Sequence, residues 1–240
     1  MMWMGRMQRV TAAIGLIVAG LVGGSAHASV ISKWTFETNY TPPAGTPTSA
    51  GPFLAEEGNF TSSAAASSVH ASATTFSAVV GNGSAKSFSS NTWAVGDYYQ
   101  FTTPTTGSSN IQLLVDQTAS GTGPLGWKVA YSTDGTNFTD LPNGAYTLNT
   151  TQSFSSTAEK PTTPPRFLFD LSGVPALNDQ ANITLRLIDA TAPSGSGGTS
   201  RIDNVTVGTD LPVPPPLPEP STFALISIAA GVGLRRRRRM

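Results

Sequence analysis

The chain has no cysteine among its 240 residues, only two histidines, and 12% charged residues. The first absence excludes disulfides, thiolate metal sites and cysteine nucleophiles. The second leaves little for nucleophilic triads, which usually need an imidazole. Only His70 falls within the central body, among Ser, Ala and Thr, where it is expected to be a solvated loop residue. Also missing are a Gly-rich phosphate cradle, an HExxH helix and an EF-hand loop. No long run of period 3.6 crosses the body, and no internal repeat recurs at a fixed period.

Basic residues are scarce where they would matter for nucleic acid. The span from Ser29 to Leu217 holds seven basic residues against thirteen acidic ones, a net of −6. With no basic stripe to follow a phosphate backbone, nucleic acid is not an expected partner. Glu56-Glu57 is the only adjacent acidic pair, beside Gly58 and Asn59, where charges normally face water. Two carboxylates flanking a cleft would suffice for a glycosidase, and their separation is not visible in sequence.

What the chain does have is punctuation at both ends. Arg6 and Arg9 precede the apolar run Val10 to Val22, and Ala26-His27-Ala28 supplies a small-x-small cleavage pattern. Residues 1–28 are therefore expected to be a secretory signal peptide, with export through the Sec pathway. At the other end, Pro218-Glu219-Pro220-Ser221-Thr222 leads into the apolar run Phe223 to Leu234 and then Arg235, Arg236, Arg237, Arg238 and Arg239. A helix over 221–234 would reach only about 21 Å, short of the ~30 Å hydrocarbon core. The arginines would hold their side of the membrane in the cytoplasm. A transient transmembrane hold suits this segment better than a permanent anchor.

Between these ends the pattern is all-β. Trp34 and Phe36 alternate with polar neighbours, as do Tyr99 and Phe101, and Ile111, Leu113 and Val115. Trp127, Val129 and Tyr131 share a face before the turn at Asp134-Gly135, which predicts a β-hairpin. Further strands are expected over 166–171, 182–189 and 201–207. Six or more short strands favour a single β-sandwich, jelly-roll-like, over residues 29–207. Ser62 to Ser77, Thr102 to Ser109 and Thr147 to Pro165 have the composition of mobile surface loops. Residues 208–217, with Pro212, Pro214, Pro215 and Pro216, are expected to form a stiff linker to the segment 218–240.

The Pro-Glu-Pro, apolar helix and arginine order resembles the PEP-CTERM sorting signal of Gram-negative, biofilm-forming bacteria. The resemblance implies handling by exosortase, transient residence in the inner membrane, and delivery to the cell surface or extracellular matrix. Ala130 to Phe138 is similar to a hairpin of galactose-binding-like jelly rolls and to the Asp-box hairpin of sialidases, although the Asp-box has one more residue between Asp and Gly. Trp34-Thr35-Phe36-Glu37 and Arg201-Ile202-Asp203-Asn204-Val205-Thr206-Val207 resemble the first and last strands of carbohydrate-binding jelly rolls. That resemblance implies a structural calcium (Ca2+) shared by Glu37 and Asp203.

Asp203 shares parity with Val205 and Val207, so its charge is expected to line up with core residues and to require a partner. Trp93 and Tyr98 are the candidates for stacking on a sugar ring. The expected role is that of a non-enzymatic surface protein with a structural or interaction function. The alternative is a carbohydrate-binding module for exopolysaccharide, and a third reading is a glycan hydrolase.

Overall fold

The computed structural model describes residues 28–150, 153–162 and 165–216. The leader's basic and apolar segments and the sorting residues Pro218, Glu219, Pro220 and Arg235 to Arg239 lie outside the described residues. Thirteen strands follow in order: β1 (Ser29–Trp34), β2 (Ser49–Leu54), β3 (Glu57–Gly58), β4 (Ala65–Val69), β5 (Phe76–Val79), β6 (Ser87–Ser90) and β7 (Tyr98–Thr103). They continue with β8 (Gln112–Ala119), β9 (Gly126–Ser132), β10 (Thr139–Thr147), β11 (Arg166–Asp170), β12 (Ile183–Asp189) and β13 (Ser200–Thr209). A 3-10 turn at Pro175–Leu177 precedes β12.

Two sheets form. The first runs β11-β8-β13-β1-β3, with β6 also on β13 and β5 outside β6. The second runs β10-β9-β12-β7-β4-β2. All the described pairings are antiparallel. The body is an all-β sandwich, as the alternation of apolar and polar residues predicts.

The core between the sheets is aromatic. Trp34 from β1 meets Phe101 from β7 with ring centres 5.2 Å apart. Tyr99 sits among Phe88, Trp93 and Trp127 at 4.9–5.9 Å and sends its hydroxyl across to the Ser200 carbonyl, 2.9 Å away. Rings of this size each remove a large apolar area from water, and the tilted contacts add a specific geometric preference. A buried polar bridge also joins the sheets, Ser32 Oγ to Thr103 Oγ1 at 2.7 Å.

Several boundaries differ from the sequence expectation. Residues 62–77 are not a mobile loop: they contain all of β4 and the start of β5. Side chains from this stretch enter the interior, with Ala66 and Ser68 fully buried. The 147–165 stretch likewise carries buried Leu148 and Phe154. The last strand continues through Thr209, beyond the expected start of the linker. Ser29 pairs with Thr209, so the body's two ends leave the sandwich side by side. Phe36 is buried as expected, but β1 stops at Trp34 and Phe36 turns out of the strand with φ of 59°.

Candidate ligand-binding face

The outer faces of the two sheets differ. On the first sheet, outward-pointing Leu114, Asp116 and Thr118 of β8 and Asp203 and Thr206 of β13 are all buried. Two segments lie over them. Gly81 to Lys86 contributes Asn82 and Ser84 to Asp203, and 153–162 contributes Glu159 and the Lys160 backbone. This side of the sandwich is closed.

Its centre is a polar network. The Asp116 carboxylate accepts Arg166 Nε at 2.6 Å, Arg166 Nη2 at 2.7 Å, and the side-chain amides of Asn82 and Asn204, each at 2.9 Å. Arg166 also pairs with Glu159. Opposite Asp116 in register stands Asp203. Its Oδ2 accepts Asn82 N–H at 2.6 Å and lies 2.7 Å from Ser84 Oγ, and its Oδ1 accepts Asn204 N–H at 2.8 Å. Burial, the largest influence, and the nearby Asp116 charge push the Asp203 carboxyl up to about 7 against those hydrogen bonds.

The parity argument for Asp203 does not survive. The β13–β8 register shifts between Asp203 and Thr206, and Asn204 takes φ of 47°. This bulge puts one extra residue into β13, so Ile202 and Val205 both face the core while Asp203 faces away. Asp203 gains its partners from the Gly81–Lys86 loop.

Glu37 reaches the far end of that loop, where its Oε1 accepts Lys86 N–H at 2.6 Å and its carbonyl accepts Lys86 Nζ at 2.8 Å. The first and last strands are neighbours, but the two carboxylates meet different donors. Among the described residues no group of three or more His, Cys, Asp or Glu is arranged to hold a metal. The donor set suits carboxylates held by N–H and O–H groups, and does not fit the shared calcium expected of Glu37 and Asp203.

The second sheet's outer face is open in part, with Ala130, Ser132 and Thr184 buried on it. Three rows cross it: Lys128, Ile188 and Tyr98; Ala130, Arg186 and Gln100; Ser132, Thr184 and Thr102. Tyr98, Gln100, Thr102, Arg186, Ile188 and Lys128 are all partly exposed. The Arg186 guanidinium carbon lies 3.9 Å from the centre of the Tyr98 ring and 3.6 Å from that of Phe138. Arg186 Nε donates to Gln100 Oε1 at 2.9 Å. Lys128 pairs with Asp140 at 2.8 Å. Beyond Thr102 and Thr184 the face opens into a depression of about 480 Å³, lined also by Asp134, Gly135, Gln180 and Asn182.

Asp134 shapes the hairpin beside that depression. Its Oδ1 accepts N–H groups of Thr136 and Asn137 at 2.8 and 2.7 Å and the Ser132 hydroxyl at 2.9 Å, and its Oδ2 accepts Asn137 Nδ2 at 2.7 Å. The turn projects Phe138 back over the sheet.

Of the expected stacking residues, Tyr98 is on this face, with Arg186 against its ring. Trp93 is not. It is 4% exposed, donates Nε1 to the Ser90 carbonyl at 3.0 Å and packs on His70, Tyr99 and Trp127, so no ring face is left for a sugar.

His70 is also misplaced by composition: it is buried, not solvated. Its Nδ1 lies 3.1 Å from Asp97 Oδ2 and its Nε2 3.1 Å from Ser90 Oγ, the connectivity of a Ser-His-Asp triad. All three side chains are sealed in the core beside Trp93 and Phe76. Burial depresses the imidazole pKa in spite of Asp97.

Glu56 does not simply face water. Burial pushes its pKa up, but N–H and O–H groups of Thr35, Thr38 and Asn39 overcome this and hold it at about 2. Glu57 pairs with Lys33 at 3.1 Å.

No protein-family model and no curated protein matches this sequence. Among solved structures, the chain is loosely similar to the CBM22-1–GH10 modules of Clostridium thermocellum xylanase 10B complexed with xylohexaose. The TM-score there is 0.36 at 14% identity, over 58% of this chain and 25% of that one. TmCBM61 in complex with β-1,4-galactotriose gives 0.32 at 8% identity, over 61% and 88%. The N-terminal cellulose-binding domain of Cellulomonas fimi β-1,4-glucanase C gives 0.31 at 11% identity, over 78% and 100%. This chain thus spans about a quarter of the xylanase chain's length.

Proposed function

We propose that this protein is an exported, non-enzymatic surface protein whose β-sandwich binds extracellular polysaccharide through the outer face of its second sheet. The observation that carries the reading is the contrast between faces. One is shut by its own loops; the other presents Tyr98, Arg186, Gln100 and Thr102 beside an open depression. A flat strip of planar groups interleaved with amides and hydroxyls suits sugar rings, which offer apolar faces and hydroxyl edges. This favours a binding role over a purely structural one.

In affinity electrophoresis of the full chain in mild detergent, exopolysaccharide should retard migration. Tyr98→Ala should weaken that retention about tenfold or more, with the unfolding midpoint moved by only a few degrees, because a half-exposed ring contributes little to the core. Undiminished retention in the variant would count against this face.

For delivery, we propose that residues 1–28 are removed on export and that exosortase processes the segment 218–240 at the inner membrane. Mass spectrometry of protein recovered from the cell surface should find a C-terminus at or before Pro218 to Pro220. Recovery of intact Arg235 to Arg239 would overturn the sorting proposal and favour a plain anchor.

A further inference from the structure

Resting on the polysaccharide reading, we propose that the ligand is an acidic polysaccharide, and that Arg186 receives a uronate carboxylate on its terminal nitrogens. Six of the seven body cations are otherwise engaged. Lys33, Lys128 and Arg166 pair with carboxylates, while Lys86, Lys160 and Arg201 donate to backbone carbonyls. Arg186 differs. Its Nε is fixed by Gln100, and among the described residues its two terminal nitrogens have no hydrogen-bond or ion-pair partner.

The fork is also preset. Tyr98 and Phe138 hold the guanidinium, so little side-chain freedom remains to be lost when a ligand binds. A planar carboxylate is the group that two parallel N–H bonds from such a fork match best. Partial burial of Arg186 lowers its pKa, Tyr98 opposes this only in part, and an incoming anion would offset the cost.

Neutral neighbours complete the fit. Gln100, Thr102 and Asn182 follow Arg186 along the face and offer amide and hydroxyl partners for the remaining sugar oxygens. A body of net −6 has no general attraction for a polyanion. Recognition must then come from a local site, and the acids nearby are already satisfied: Asp140 by Lys128, and Asp134 by its own turn.

The test uses the full chain with three polymers: polygalacturonate, its carboxyl-reduced counterpart, and dextran sulfate. Polygalacturonate should bind about tenfold or more tightly than the other two. Arg186→Gln should bring it level with the reduced polymer, while Arg186→Lys, which restores charge without the fork, should recover only part of the difference. Gln100→Ala, which releases Arg186 Nε, should weaken polygalacturonate more than its reduced counterpart, and serves if Arg186→Gln does not fold. Equal binding of the acidic and reduced polymers, unchanged in Arg186→Gln, would overturn the acidic ligand while leaving the polysaccharide reading intact. Equal binding of dextran sulfate would overturn the carboxylate assignment. Binding of none of the three would overturn this inference, and the exopolysaccharide assay on Tyr98→Ala then judges the broader reading by itself.

Discussion

Replacing Asp116 with alanine is expected to destabilise the fold by about 3–5 kcal/mol, the range for breaking a buried ion pair by deleting one partner. Asp116 is fully buried and accepts four hydrogen bonds, two of them from the Arg166 fork. Its removal takes from that guanidinium, only 12% exposed, its buried counter-charge, while the pair with the exposed Glu159 stays. The side-chain amides of Asn82 and Asn204 each lose one of two acceptors at the same time, keeping the carbonyls of Lys160 and Asn82, and Asn82 also positions the N–H that meets Asp203. At about 2–4 °C per kcal/mol for a domain of this size, the midpoint should fall by roughly 6–20 °C. Urea unfolding checks the result. Because most of the cost lies in taking from Arg166 its buried counter-charge, the double variant Asp116→Ala, Arg166→Met should lose less than Asp116→Ala alone. A loss below about 1 kcal/mol in the single variant would show that the closed face is held by packing and not by this network.

The segments legible in the sequence were those in which large apolar residues alternate. Strands β7, β8, β9 and β12 carry aromatic or branched side chains at period two, and the structure places them as that pattern predicts; β13 is a strand as expected, but its bulge breaks the period. Strands β4 and β6 were not legible, because Ala65 to Val69 and Ser87 to Ser90 have loop composition. They are strands because neighbours on both sides supply the hydrogen bonds, with small Ala66 and Ser68 of β4 and the single large Phe88 of β6 buried. His70 follows the same logic: it becomes a core residue only once the fold has brought Asp97 and Ser90 to its two nitrogens.

The candidate site was half visible. Tyr98 could be placed on an outer face from its parity with Tyr99, but its partners could not. Arg186 lies 88 positions away, and Phe138 arrives from a hairpin tip. Only the order β9-β12-β7 joins them, and strand order is not carried by period-two patterning. The bulge at Asn204 did leave a trace. Ile202 and Val205 are three apart and Val205 and Val207 two, and three core residues at that spacing on one strand require an extra residue between the first pair.

Stability is expected to decline as pH rises from about 4 toward 7, the reverse of ordinary acid denaturation, and Asp203 is the main cause. Unfolded, its carboxyl titrates near the usual ~3.9; folded, it titrates at about 7. Between those values the native state holds a proton that the unfolded chain has released. The stability belonging to the protonated acid is therefore complete below the unfolded value and lost as pH climbs through the folded one. About three pKa units correspond to an upper figure of ~4 kcal/mol, and full burial leaves little solvent screening to reduce it.

The geometry supports a proton there. Ser84 Oγ lies 2.7 Å from Asp203 Oδ2 and 3.1 Å from the Lys86 carbonyl, yet a hydroxyl has one hydrogen to give. A protonated Asp203 donating to Ser84, with Ser84 donating to Lys86, satisfies every atom. Asp189, pushed up to about 6 first by burial and then by Asp97, adds a slope of the same sign. Glu56, held at about 2, works oppositely: its contribution is present above the usual carboxylate value and fades as pH falls toward 2. Denaturant midpoints measured across pH 3–8 should therefore peak near pH 4–5. Asp203→Asn should remove most of the decline above the peak, whatever its effect on absolute stability. An unchanged slope in that variant would assign the proton elsewhere and leave Asp203 ionised among Asn82, Ser84 and Asn204.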